Sequence, residues 1–158
     1  MEKAIFNAAT VAKYFIWKAH QESKPITNKK LQKLVYYAQA WNLAVNDKPL
    51  FGDDIEAWVH GPTVRALYEE FKTFGYNPIN VKVNKSEIQA LIKDKLLNEV
   101  WEIYGKYDGN YLEALTHNEA PWQKAREGLD IDEESSIVIS QKSMKEYYKK
   151  LLKKTSDE

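Results

Sequence analysis

His60 and His117 are the side chains in this chain that could form a general acid–base pair. The first lies in Trp58-Val59-His60-Gly61-Pro62 and the second in Thr116-His117-Asn118-Glu119. An imidazole beside a carboxylate takes up and releases a proton near neutral pH. Nothing in the surrounding pattern supports that chemistry further. His20, His60 and His117 fall in different segments, with no His-Glu-x-x-His spacing to hold a metal, and there is no cysteine to supply a thiolate. Gly-x-Ser-x-Gly, Walker and dinucleotide glycine patterns are also absent. The simpler expectation is that the histidines hydrogen-bond at helix ends and hold loops. On that expectation the chain has no catalytic residue, no metal and no cofactor.

The elements that carry these residues are mostly helical. Ala8, Val11, Ala12, Phe15, Ile16 and Ala19 recur at three- and four-residue steps, predicting a helix over 7–20. Thr27 can cap a second helix, with Ile26 and Leu31 at hydrophobic-staple spacing. In that helix Leu31, Leu34, Val35 and Ala38 form one stripe, and Tyr37, Trp41, Ala44 and Val45 widen it. Only a narrow polar strip remains, which predicts a central, largely buried helix. After the turn residues of 46–54, Ile55–Val59 alternates as a short strand. Gly61 and Pro62 then fit the cap and first position of a helix reaching Phe71, with Arg65 and Glu69 spaced for an i,i+4 pair.

Further on, Ser86-Glu87-Ile88-Gln89 reads as the capping box of a helix that runs, with a break near Lys93-Asp94, to Gly105. Asn110 and Glu113 are spaced as the cap and N3 of the next helix, and Pro121 starts another that stops at Gly128. Ile137-Val138-Ile139 is a three-residue strand able to pair with Ile55–Val59, and a lysine-rich helix follows Ser140. The expectation is a mainly α fold: one compact multi-helix domain over 1–158 with a short two-stranded β element, a core from about 8 to 152, and a frayed tail at 153–158.

Composition narrows the partner class. Lys+Arg and Asp+Glu both number 23, so no global field draws the chain to nucleic acid. The basic last helix is offset by the neighbouring Asp130, Asp132, Glu133 and Glu134. No signal-peptide pattern opens the sequence, and the longest uncharged run, Leu34–Asn46, is too short and polar to span a bilayer. These features predict a cytoplasmic protein with no nucleic-acid or membrane partner. Five Trp and ten Tyr are more than one core is expected to bury completely, and Trp, Tyr and Arg are the types that anchor protein interfaces.

Three segments, "ITNKKLQKLVYYAQAW" at Ile26–Trp41, "LFGDDIEAWVHGPTVRALYEEF" at Leu50–Phe71 and "LTHNEAPW" at Leu115–Trp122, resemble the Panacea antitoxin domain family in order and spacing. The resemblance implies a mainly helical domain that neutralises a cognate protein toxin, encoded by an adjacent gene, by binding it. Within the matching motifs Leu31, Leu34, Tyr37, Ala57, Gly61, Pro62, Thr116 and Pro121 read as structural. Gln32, Lys33, Tyr36 and Trp58 are taken as partner-binding candidates, together with His60, Arg65, His117 and Trp122. The polar members of this set either satisfy buried backbone groups or face the partner. The alternative role is that of a proteolytic adaptor, or a phage-encoded protein that delivers or modulates a bound partner.

Overall fold

The structure, a computed structural model, describes residues 6–156. Asn7 caps α1 (Ala8–Gln21) by accepting from Thr10 N, and the predicted stripe of α1 is buried throughout. Thr27 likewise accepts from Lys30 N and starts α2 (Asn28–Asn46). The side chains of Leu31 through Ala40 are all buried, so α2 is the central helix, with α1, β2, α4, α5 and α7 of the elements below packed around it. Gln32, Lys33 and Gln39 survive inside because each meets a backbone group, as burial demands. The Gln39 amide accepts from Leu50 N and donates to Phe51 O, at 2.7 Å each.

Three short elements form a small sheet against α2. β1 (Glu56–Trp58) and β2 (Gly61–Thr63) make an antiparallel hairpin, with Glu56 opposite Thr63 and Trp58 opposite Gly61. On the other side of β1, Glu56 bridges Val138, as the Ile137–Ile139 expectation holds. The ladder bonds are Ala57 N to Ile137 O and Ile139 N to Ile55 O, both 2.8 Å. The remaining helices are α3 (Arg65–Phe71), α4 (Lys95–Tyr104), α5 (Gly109–His117), α6 (Ala120–Ala125) and α7 (Gln141–Ser156). One hydrophobic core joins them, from Ala8 through Trp101 to Tyr148. Among the described residues, no helix is long and apolar enough to cross a membrane.

Several local expectations are corrected. Gly61 and Pro62 do not open a helix: Gly61 takes φ +105° at the hairpin turn and the helix starts at Arg65. Arg65 pairs with Glu56 on β1, while Glu69 is engaged by Lys72 at 2.6 Å. Ser86 does not cap an α-helix; Glu87 reaches back to Asn84 N in a 3-10 turn, and Asp94 caps α4 by accepting from Leu97 N. Asp108 rather than Asn110 caps α5, accepting from Tyr111 N, and Asn110 Oδ1 accepts instead from Lys29 at 3.0 Å. Of the tail expected at 153–158, the residues to Ser156 continue α7, and 157–158 lie outside the described residues.

Candidate functional site

Lys33 explains the hairpin turn. It lies on α2, is fully buried, and donates from Nζ to Pro62 O at 3.1 Å. A Cβ on Gly61 would sit 2.5 Å from Lys33 Cε and 3.1 Å from Thr116 Oγ1. The positive φ and this close approach both require glycine. Burial pushes the Lys33 ammonium down to about 7, opposed in part by the Glu113 carboxylate. Beside it, Gln32 Oε1 accepts from Val64 N at 2.8 Å, which satisfies the backbone where β2 turns into α3. The three sequence motifs therefore meet here: Gln32 and Lys33 from the first, Gly61 and Pro62 from the second, Thr116 from the third.

The third motif and the residues after it also hold β1. Trp122 Nε1 donates to Trp58 O at 2.8 Å, and the Trp122 ring stacks on His117 at 4.0 Å. Arg126 is buried and donates Nη1 to Ala57 O at 2.9 Å while Nη2 reaches Asp130 O and Glu133 O, so one guanidinium fastens β1 to the acidic loop. Deeper still, Glu119 Oε1 accepts from Tyr37 OH at 2.7 Å and Tyr148 OH at 2.9 Å, and Tyr36 OH lies 3.1 Å from Tyr148 OH. Burial raises the Glu119 carboxyl above its ordinary value, although both tyrosine donors pull it down. Burial, with Glu119 beside them, raises the phenols of Tyr37 and Tyr148.

His60 and His117 both approach one carboxylate, that of Glu113. His60 Nδ1 stands 3.2 Å from Glu113 Oε1, and Lys29 Nζ reaches the same oxygen at 2.9 Å. Burial pushes the Glu113 carboxyl up, but Lys29, followed by His60 and His117, outweighs it and holds the group below the usual range. Burial also pushes the His117 imidazole down, with Glu113 opposing. This carboxylate links Lys29 on α2 and His60 at the hairpin tip to α5.

The outer side of the hairpin is different. The Arg65 guanidinium lies over the Trp58 ring at 5.2 Å and is bidentate to Glu56 at 2.7 and 3.2 Å, while Tyr68 packs edge-on against Trp58 at 4.9 Å. Trp58, His60 and Arg65 of the hairpin region and Asp132, Glu134 and Ser136 of the acidic stretch together line an open cleft of about 630 Å³.

The partner-binding candidates thus divide by burial. Gln32, Lys33, Tyr36 and Trp122 are buried; Trp58 and His117 are half-buried; His60 and Arg65 are exposed. The structural set of Leu31, Leu34, Tyr37, Ala57, Gly61, Pro62, Thr116 and Pro121 is buried in full. Sequence reasoning missed Glu119 and Arg126. Arg126 had a signal, since the chain has only two arginines, Arg65 and Arg126, against twenty-one lysines. A planar, forked donor chosen so rarely is chosen for multidentate geometry.

The span from the first motif to the third, residues 31–123, is matched by a family model described as Antitoxin SocA-like, Panacea domain. Antitoxin SocA of Caulobacter vibrioides (strain NA1000 / CB15N) is 26% identical over 155 residues, covering 90% of this chain and 82% of that protein. No solved structure gives a significant match. This chain belongs to the Antitoxin SocA-like, Panacea domain family.

Proposed function

We propose that this chain is the antitoxin of a two-gene toxin–antitoxin system, acting in the cytoplasm by binding its cognate protein toxin directly and stoichiometrically. The family match over residues 31–123 carries the reading. The geometry supports a binding role in a specific way. Hydrogen bonds donated by Lys33, Trp122 and Arg126, and one accepted by Gln32, fix the hairpin from within, so Trp58, Arg65 and His60 are presented on a preorganised surface. Presenting a partly exposed tryptophan and an arginine on a rigid frame suits an interface anchor, because little conformational entropy is lost on association. No turnover is required; the domain occludes a working surface of the toxin or holds it inactive.

The test is a titration of the purified product of the neighbouring open reading frame with this protein, with no protease present. Toxin activity that falls in proportion to added protein and vanishes at a fixed stoichiometry is the expected result. Full suppression by a trace amount would indicate turnover instead. Suppression only when a cellular protease is added would favour the adaptor role.

A further inference from the structure

Building on the antitoxin reading, we propose that the outer edge of the Ile137–Ile139 strand, with the acidic loop 130–134 beside it, docks a basic, extended segment of the toxin as an added strand. The ladder geometry opens this edge. Ile137 O and Ile139 N both point inward to β1. Successive peptide groups of a strand alternate in direction, so the N–H and C=O of Val138 point outward. Among the described residues neither group makes a hydrogen bond. The far edge of the sheet is closed by contrast: Pro62 on β2 has no N–H, and its carbonyl is taken by Lys33.

Side chains at the open edge suit a docked strand. Ile137 and Val138 are each about half exposed, at 48% and 46%, and Ile131 on the loop is 75% exposed. An unpaired edge flanked by exposed β-branched residues is the template used in strand addition, where main-chain bonds give affinity and side-chain contacts give selectivity.

Charge decides the kind of segment. Among the described residues, none of Asp130, Asp132, Glu133 and Glu134 is in an ion pair. The two nearby arginines are committed elsewhere, Arg65 to Glu56 and Arg126 to backbone carbonyls beneath the loop. Asp132 and Glu134 line the same cleft as Trp58 and His60, where a lysine or arginine side chain meets two carboxylates. A second copy of this chain docking edge to edge about a two-fold axis would set the same acidic loop against itself, which disfavours self-pairing.

The experiment uses the full chain and the product of the neighbouring open reading frame. Amide hydrogen exchange of the complex should protect Val138 N–H, which is unbonded in the free protein. Binding should weaken as salt rises, and the exposed pair Asp132→Lys with Glu134→Lys should lower affinity roughly tenfold or more, chiefly through slower association. Circular dichroism and thermal melting confirm that this variant keeps its fold. If the neighbour's product binds and is neutralised while Val138 stays unprotected, or the charge-reversed variant binds like wild type, the edge is not the dock and the antitoxin reading stands. If wild type neither binds nor neutralises that product, the antitoxin reading fails and the docking proposal fails with it.

Discussion

The two sides of the β1–β2 hairpin treat polar groups in opposite ways. Facing α2, α5 and α6, buried side chains are spent on the backbone: Lys33 on Pro62, Gln32 on Val64, Trp122 on Trp58, Arg126 on Ala57. Facing solvent, the Val138 peptide and the Asp132 and Glu134 carboxylates are unspent among the described residues. Substitutions on the inner side should therefore appear as lost stability, and those on the outer side as lost affinity. A residue's place in a family motif does not by itself say which side it serves.

Breaking the inner side at Gly61 should have the largest effect. Gly61→Ala forces a strained φ and a 2.5 Å approach to Lys33 Cε, and should cost about 3 kcal/mol or more in denaturant unfolding. Adding Lys33→Ala should recover the part due to the clash and leave the part due to φ, which a double-mutant cycle separates.

Lys33 itself gives the next effect, read against pH. Its folded value of about 7 lies below the unfolded value near 10.4, so between them the unfolded chain holds a proton that the native chain lacks. Raising the pH through that window favours the native state. Between pH 7 and about 9.5, before the unfolded tyrosines ionise, stability should rise by on the order of 3 kcal/mol. Urea unfolding of Lys33→Met should lose most of that rise; an equal slope in both proteins would mean that Lys33 stays protonated in the fold.

A smaller loss is expected from Arg126→Met, which leaves Ala57 O, Asp130 O and Glu133 O without their shared donor. The cost should be about 2 kcal/mol by thermal melting, with faster amide exchange at Ile139 N–H, which depends on the same strand pairing. Smallest in stability is His60→Ala, since the 72% exposed imidazole can be removed while the Lys29–Glu113 pair stays. The unfolding midpoint should be unchanged; affinity for the toxin, by calorimetry, should fall. A stability loss at His60 to match that at Arg126 would erase the distinction between the two sides.

What the sequence made legible follows the same division. The central helix could be read in advance because its cap, staple and apolar stripe are all local to 26–45. The hairpin could not, because Gly61 and Pro62 suit a helix start equally well. The choice was made by Lys33, 28 residues before the turn glycine, whose bonded partner Pro62 is separated from it by 29 positions. Likewise Asp108 and Asn110 are both good caps by type; Asp108 serves, while Asn110 is engaged by Lys29, 81 positions away. Spacing put His117 four residues after Glu113 on one helix but gave no sign that His60 would approach the same carboxylate. Glu119 was hidden for another reason: it stands at an N-cap position, where an acid is ordinary, yet its side chain points inward to two tyrosines.

The grip of Arg126 has a mechanical consequence. One rigid fork holds β1 at Ala57 and the loop at Asp130 and Glu133. Loop and hairpin are thereby geared together, so a load on either is shared by both. A protein seated on the loop would stiffen the turn that carries His60, and a pull on the loop would be felt at the central strand before it reached α2.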